Sequence, residues 1–392
     1  MKDYKYLIVG GGMTGDAAVR GIREIDPNGS IGMIGNETDM PYARPPLTKG
    51  MWKGRPFEKI WRGTDKLNVE FFLGRTATKL HPAVKRVRDD HGDEYTYGKL
   101  LLATGGSPNR LPFGEGQIIY YRTLQDYLHL RELSDKGKSF LVIGAGFIGS
   151  EIAAALTMQE KQVTVVFREN SIGENAYPAE LSKFLNRFYK KKGVKLMPAD
   201  SITGIEKKGE RLVVRTNSGH AVEVDGIVAG IGIRPNIELA KSAGLALDDG
   251  IVVDDQQRTS TSDIYAAGDV AMFPHHVLGK LLRVEHEDNA LLMGKQAGRN
   301  MAGANEAYTH APYFYSDMFE LGYEAIGTLS SKLETVADWE EPFQKGVIYY
   351  LDKGRVRGVL LWNVWKKLKE ATDLLAESGP FTAAALKGRI TG

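Results

Sequence analysis

The sequence predicts an α/β protein: two doubly wound domains, each built on a parallel sheet, followed by a C-terminal α+β domain. Three observations predict it. A strand, a glycine-rich turn, a helix and a second strand open the chain between Tyr6 and Ile34. The same unit recurs 134 residues on, from Gly10 to Gly144. The residues from 313 to 392 alternate strand-like runs before a helical stretch. At roughly 100–200 residues per domain, a chain of 392 residues divides into two or three domains with cores of their own.

Each element rests on local chemistry. Tyr6-Leu7-Ile8-Val9 reads as a strand that runs into Gly10-Gly11-Gly12-Met13-Thr14-Gly15. Asp16 to Ile25 reads as a helix with Ala17, Ala18, Val19 and Ile22 available for packing, and Asp26-Pro27-Asn28-Gly29 stops it before a strand over Ser30–Ile34. In the second copy Phe140–Ile143 is the strand, Gly144-Ala145-Gly146-Phe147-Ile148-Gly149 the turn, Ser150–Gln159 an alanine-rich helix and Val163–Phe167 the next strand. This is duplication of a fold unit, not a short-period array. Lys195–Asp225 alternates apolar and polar residues with turns at Gly209 and Asn217-Ser218-Gly219, the pattern of a small β-meander. Gly346–Leu351 and Arg357–Trp362 read as paired strands across Asp352-Lys353-Gly354, with a polar helical tail from Lys366. No low-complexity linker separates these regions, so domain boundaries fall in short connections.

A G-x-G-x-x-G turn between strand and helix uses its glycines for three purposes. One makes the tight turn, one lets the backbone approach a pyrophosphate, and one lets helix and strand pack closely. The helix N-terminus then offers free N–H groups and a partial positive charge to the phosphates. Gly10, Gly12 and Gly15 fit this, as do Gly144, Gly146 and Gly149. The two domains are therefore expected to be Rossmann-like dinucleotide-binding domains. An acid about 20 positions further on takes the ribose hydroxyls. After the second turn that acid is Glu169, which disfavours a 2′-phosphate and so favours NADH over NADPH; the adjacent Arg168 is placed to accept that phosphate instead. After the first turn the strand ends at Gly35-Asn36-Glu37, where Glu37 is the acid and Asn36 can bond a ribose hydroxyl. Two further segments assign FAD to the first site and NAD to the second. Leu101-Leu102-Ala103-Thr104-Gly105-Gly106 ends a strand in small residues, and the run from Thr259 to Gly268-Asp269 ends a strand in a glycine for close approach and a carboxylate for a ribityl hydroxyl.

Composition removes many alternatives. The chain has no cysteine, which excludes disulfide scaffolds, thiolate metal sites, iron–sulfur ligation and dithiol redox pairs. A net charge of +2 lacks the basic field that drives non-specific nucleic-acid binding. No run of 18 apolar residues spans a membrane, and the N-terminus lacks the long apolar region of a signal peptide, so a cytoplasmic protein, monomer or homodimer, is expected with no metal site. Gly137-Lys138-Ser139 lacks the earlier glycine of a P-loop, where Glu132 stands; His286-Glu287 lacks a second zinc-binding histidine; His275-His276 reads as a loop; Lys190-Lys191-Lys192 reads as a solvated helix end.

The chain resembles the two-dinucleotide flavoprotein reductases over its whole length, nearest apoptosis-inducing factor and its bacterial relatives, with the ferredoxin reductases of oxygenase systems next. The resemblance is carried by Pro41-Tyr42-Ala43-Arg44-Pro45-Pro46-Leu47-Thr48-Lys49, Gly146–Glu151, Arg283-Val284-Glu285-His286, Leu321–Gly327, Lys345–Leu351 and Val359–Asn363. It implies an FAD domain of residues 1–116 and 247–312, an NAD domain of 117–246 and a C-terminal domain of 313–392. It implies Arg44 at the FAD pyrophosphate, an ion pair of Lys49 with Glu151 by the flavin ring, and Phe147 where the nicotinamide stacks. Glu285, His286 and Tyr315 complete the pocket, and Glu324 lies near the nicotinamide amide; Ala77, Ile148 and Gly232 are further expected cofactor contacts. Lys49, Glu151, Phe147 and His286 form the expected catalytic set. Asn36 in place of an acid, Tyr315 in place of tryptophan, and Lys280-Leu281-Leu282 in place of a basic run depart from the apoptosis-inducing factor pattern.

The expected activity is that of an FAD-dependent NAD(P)H oxidoreductase. Hydride passes from NADH to FAD, and electrons pass on to an external acceptor: a ferredoxin-type protein, a quinone, oxygen or a dye. The resemblance also offers an NADH-sensing flavoprotein whose long-lived charge-transfer complex controls dimerisation.

Overall fold

A parallel sheet organises the first part of the chain. The computed structural model describes residues 1–391. Strand Lys2–Val9 pairs in parallel with Ile31–Gly35 on one side, Tyr6 opposite Ile31, and with Glu94–Leu102 on the other, Val9 opposite Leu102. Glu70–Leu73 extends the sheet beyond Ile31–Gly35. Beyond Glu94–Leu102 come the antiparallel strands Arg86–Asp89 and Ala77–His81, and Ile264–Ala266 returns from much later in the chain to pair with Leu100–Leu102. Leu7, Ile8, Leu100, Leu101, Leu102 and Ala266 have no exposed surface. Strands covered on both faces need such unbroken apolar runs.

The chain forms two compact units. The first holds Met1–Arg44, Pro56–Ser107 and Arg234–Pro312; the second holds Pro45–Arg55, Pro108–Ile233 and the residues from Tyr313 on. In the first unit, helices Met13–Ile25 and Glu287–Met301 cross at backbone contact distance. A Cβ on Gly21 would lie 2.0 Å from the Lys295 carbonyl oxygen, and one on Gly298 2.0 Å from that of Ala18. In the second unit, strands run in the order Lys195–Met197, Gln162–Val166, Ser139–Ile143, Gly226–Ala229, Ile119–Tyr120, all parallel. A three-stranded meander, Ile202–Lys208, Arg211–Thr216 and Ala221–Val224, follows the first of these in sequence. The same unit holds a five-stranded antiparallel sheet ordered Tyr313–Met318, Leu321–Gly327, Arg355–Trp362, Lys345–Asp352, Glu334–Glu341.

Four sequence expectations are corrected. The glycine helices begin at Met13 and Phe147, three residues before the expected starts, because the third glycine of each turn is itself helical and packs on the carbonyl of the first. Lys195–Met197 belongs to the parallel sheet, with Thr164 opposite Lys195, and not to the meander; alternation shows a half-buried strand but not its partner. His275 is no loop residue: it ends strand Ala271–His275, is 3% exposed and stacks on Phe273. The tail helix Leu368–Ala376 is amphipathic, burying Ala371, Leu374 and Leu375. Among the described residues no helix is long and apolar enough to cross a membrane, and no cluster of three or more His, Asp or Glu could hold a metal ion.

Candidate active site

Both glycine turns divide their glycines in the same way. A Cβ on Gly15 would lie 2.2 Å from the Gly10 carbonyl oxygen, and one on Gly149 2.0 Å from that of Gly144. Gly10 has φ +128° and Gly144 φ +94°, and a Cβ on either would strike the carbonyl of Ala103 or Gly230. The fold itself therefore requires these four glycines. The middle pair is different. A Cβ on Gly146 would meet nothing within 4 Å, and one on Gly12 only Arg44 Nη2 at 3.9 Å. Each has negative φ and stands at the N-cap of its helix, with no side chain capping the first turn. Helix Leu124–Lys136, by contrast, is closed by a reciprocal Thr123–Asp126 capping box. Open space and uncapped N–H groups at both middle glycines fit two dinucleotide pyrophosphates.

Around the first turn the structure gathers most of the expected residues. Ala103 N donates to Val9 O at 2.8 Å. Thr104 and Gly105 are clamped by Asn236: Thr104 Oγ1 donates to its carbonyl at 2.8 Å, and its backbone N–H donates to Gly105 O at 2.9 Å. Gly268, at φ +77°, packs on Thr14 of the glycine helix, and Asp269 follows it in a short 3-10 turn whose carbonyl accepts from Arg283 at 3.1 Å. Glu37 pairs with Arg44 and accepts from the Tyr42 hydroxyl at 2.5 Å. Burial works against the Arg44 charge, but Tyr42, Glu37 and Asp269 outweigh it and raise its pKa. Asn36 is exposed. Glu285 pairs with Arg283 at 2.7 Å. His286 is the N-cap of Glu287–Met301, and burial lowers its imidazole to about 4. Ala77 is not drawn into this group by any hydrogen bond; it begins the edge strand Ala77–His81, with two strands between it and Lys2–Val9.

Around the second turn, Phe147 and Ile148 are 41% and 39% exposed although both open a helix. Phe147 leans on Phe314 with ring centroids 5.5 Å apart. Glu169 lies just past strand Gln162–Val166, and Asn175 Nδ2 donates to it at 3.4 Å. Gly232, at φ +84°, accepts from the Asn109 N–H at 3.0 Å. Further along the helix, Glu151 is the hub of a buried cluster. Lys49 Nζ lies 2.7 Å from both its oxygens and 5.2 Å from the Tyr315 ring centre. Tyr315 faces Glu324 across the antiparallel pair, and burial raises the Glu324 carboxyl pKa.

Residues 4–294 match the model of the pyridine nucleotide-disulphide oxidoreductases. The chain belongs to that family. Residues 297–342 and 337–377 match the C-terminal model of mitochondrion-associated apoptosis-inducing factor. Apoptosis-inducing factor 1 of Dictyostelium discoideum is 35% identical, over 96% of this chain and 79% of that protein. The ferredoxin–NAD(+) reductase component of the anthranilate 1,2-dioxygenase system of Burkholderia cepacia is 31% identical, over 95% of this chain and 94% of that one. The reductase in the solved covalent putidaredoxin reductase–putidaredoxin complex superposes with a TM-score of 0.88 at 28% identity, covering 96% and 94% of the two chains. Within the family this chain is an FAD-dependent NADH oxidoreductase, with FAD and NADH as its cofactors and the two dinucleotide-binding folds plus C-terminal domain that the sequence predicts.

Two groups escaped the sequence reading. Thr48 and Ser316 both donate to Glu151, at 2.6 and 2.5 Å. Asp16, buried in the first turn of the glycine helix, holds Arg62, Arg20 and Thr64. Thr48 adjoins Lys49 and Ser316 adjoins Tyr315, so proximity to expected site residues was the available signal for the first group. An acid in a helix's first turn was the signal for the second.

Proposed function

We propose that this oxidoreductase passes electrons from NADH, through FAD, to an external protein acceptor of the ferredoxin type. The observation that carries the reading is a buried ion pair in a chain without a thiol: Lys49 and Glu151 lie at the centre of a buried cluster, and the chain has no cysteine. A family named for disulphide chemistry has here no cysteine thiol to receive electrons, so they leave the protein. The similarity to ferredoxin–NAD(+) reductase components over nearly the full length of both chains favours a ferredoxin over a quinone or oxygen. We place this activity in the cytoplasm.

FAD, when bound, links a two-electron donor to one-electron acceptors. The residues supply binding, orientation and charge. Gly10, Gly12 and Gly15 with Arg44 bind the FAD pyrophosphate, Glu37 takes its ribose, and Gly268 and Asp269 take the ribityl chain. Gly144, Gly146 and Gly149 seat NADH, and Glu169 holds its ribose and turns away a 2′-phosphate. Lys49 balances the negative charge that builds on reduction, and Glu151 tempers that field. Phe147, partly exposed at the start of its helix, offers its ring for stacking. The domains run 1–116 with 247–312, 117–246 and 313–392; the changes of compact unit near 107, 233 and 312 support those boundaries.

The test is anaerobic reduction by NADH followed by an acceptor screen. A [2Fe–2S] ferredoxin is expected to reoxidise the protein fastest, with a rate that falls as salt rises. Reoxidation by quinone or air at least as fast as by every ferredoxin tried overturns the reading.

A further inference from the structure

Glu151 lies on helix Phe147–Met158 with its side chain 2% exposed. A carboxylate so placed needs its lone pairs met from within the protein. Lys49 meets both oxygens at 2.7 Å. The other two partners are neutral hydroxyls: Thr48 Oγ1 donates to Oε2 at 2.6 Å, and Ser316 Oγ to Oε1 at 2.5 Å. Thr48 is 7% exposed and Ser316 1%, so neither hydroxyl has ready access to water. Tyr177, Tyr189 and Tyr323 are within electrostatic reach of the carboxylate, and burial raises all three phenols, which stay neutral. The Tyr177 and Tyr189 hydroxyls donate elsewhere, to Tyr323 Oη and to Ser150 O, each at 3.0 Å.

We propose that Thr48 and Ser316 are positioning residues: their hydroxyls pin the two oxygens of Glu151, and the pinned carboxylate holds the Lys49 ammonium in the one place from which it speeds reduction of FAD by NADH. The proposal rests on the reading that Lys49 acts at the flavin. Lysine is a point charge on a flexible four-carbon stem, so its position is only as fixed as its partner's. A carboxylate held at both oxygens cannot turn, and the stem follows it. The two hydroxyls also draw negative charge toward themselves, which leaves Lys49 less neutralised than a bare ion pair would.

The test compares Thr48→Val and Ser316→Ala with Thr48→Ser, Ser316→Thr and Lys49→Ala. Each hydroxyl deletion should slow FAD reduction at saturating NADH by roughly tenfold, the size of one hydrogen bond to a charged group, with KM for NADH unchanged. The Ser and Thr exchanges should restore most of the rate. A second readout needs no turnover: acetylation of Lys49 in the purified protein by an N-hydroxysuccinimide ester, followed by peptide mass spectrometry, should be faster in both deletions. Unchanged reduction rates in both, with Lys49→Ala slow, overturn this inference and leave the role of Lys49 standing. Unchanged rates in Lys49→Ala as well overturn both. A lost rate that the conservative exchanges do not restore, with Lys49 acetylation unaltered, marks general structural damage and also overturns the inference. Thr48→Val is nearly isosteric and carries the test alone if Ser316→Ala does not fold.

Discussion

In both glycine turns a Cβ on the third glycine would lie close to 2 Å from the carbonyl of the first, and in both the middle glycine faces open space. Past the following strand the two halves part. In the first, Glu37 is locked to Arg44 and Tyr42, and Gly268 closes on the glycine helix through Thr14. In the second, Glu169 has one side-chain partner among the described residues, Asn175 at 3.4 Å, and Phe147 and Ile148 stand out toward solvent. The difference teaches what the duplicated unit leaves free. The shared glycines set the turn, and on the proposed reading the surroundings decide whether a dinucleotide is retained or exchanged. A pre-bonded rim costs little to order on binding and suits a resident cofactor; a sparse, open rim suits one that enters and leaves each cycle.

The comparison can be broken first at the shared part. Gly15→Ala and Gly149→Ala should each lower unfolding stability by about 3 kcal/mol in urea titration, because the clash is with backbone that has nowhere to go. If either unfolds like the parent, the packing role of the third glycine is wrong. The middle glycines should behave oppositely. Gly12→Ala should be as stable as the parent without cofactor but come off purification with less FAD per chain. Gly146→Ala should keep its FAD and raise KM for NADH by roughly tenfold. Equal loss of FAD in both would erase the distinction between the halves. Glu169→Ala should raise KM for NADH several-fold and relax discrimination against NADPH; an unchanged NADH-to-NADPH ratio removes its ribose role.

The smallest expected effect is on acid stability. Burial lowers the His275 imidazole from 6.5 to about 4 in the folded protein. The unfolded chain therefore binds a proton first as pH falls. Stability from the neutral histidine is full above 6.5 and is lost between 6.5 and 4, on the order of 1 kcal/mol by pH 5.5. Urea midpoints should fall over this window; His286, also lowered to about 4, adds a like fall, so His275→Gln should roughly halve it, and a parallel fall in that variant removes the assignment.

The glycine turns, their helices and the hairpin Lys345–Asp352 with Arg355–Trp362 were legible because each is a local pattern, closed within a few residues of its own signal. Sheet order was not. That Ile264–Ala266 returns to pair with Leu100–Leu102, or that Lys195–Met197 joins Gln162–Val166, depends on burial that no short window encodes. The buried cluster shows the same limit. Lys49 and Glu151 were reached through a family resemblance, and the two hydroxyls between them went unread because their bonds to Glu151 span 103 and 165 residues of chain. A serine or threonine carries no charge by which such a partner could be guessed.

The crossing of Met13–Ile25 with Glu287–Met301 has a consequence for how the protein is made. Gly21 is completed by Lys295, and Ala18 by Gly298. While the ribosome is still short of that second helix, Met13–Ile25 lacks its partner and the amino-terminal sheet lacks strand Ile264–Ala266. The other parallel sheet lies wholly between Ile119 and Ala229. It can finish during synthesis while the earlier-made region waits, so the portion translated first is among the last to mature.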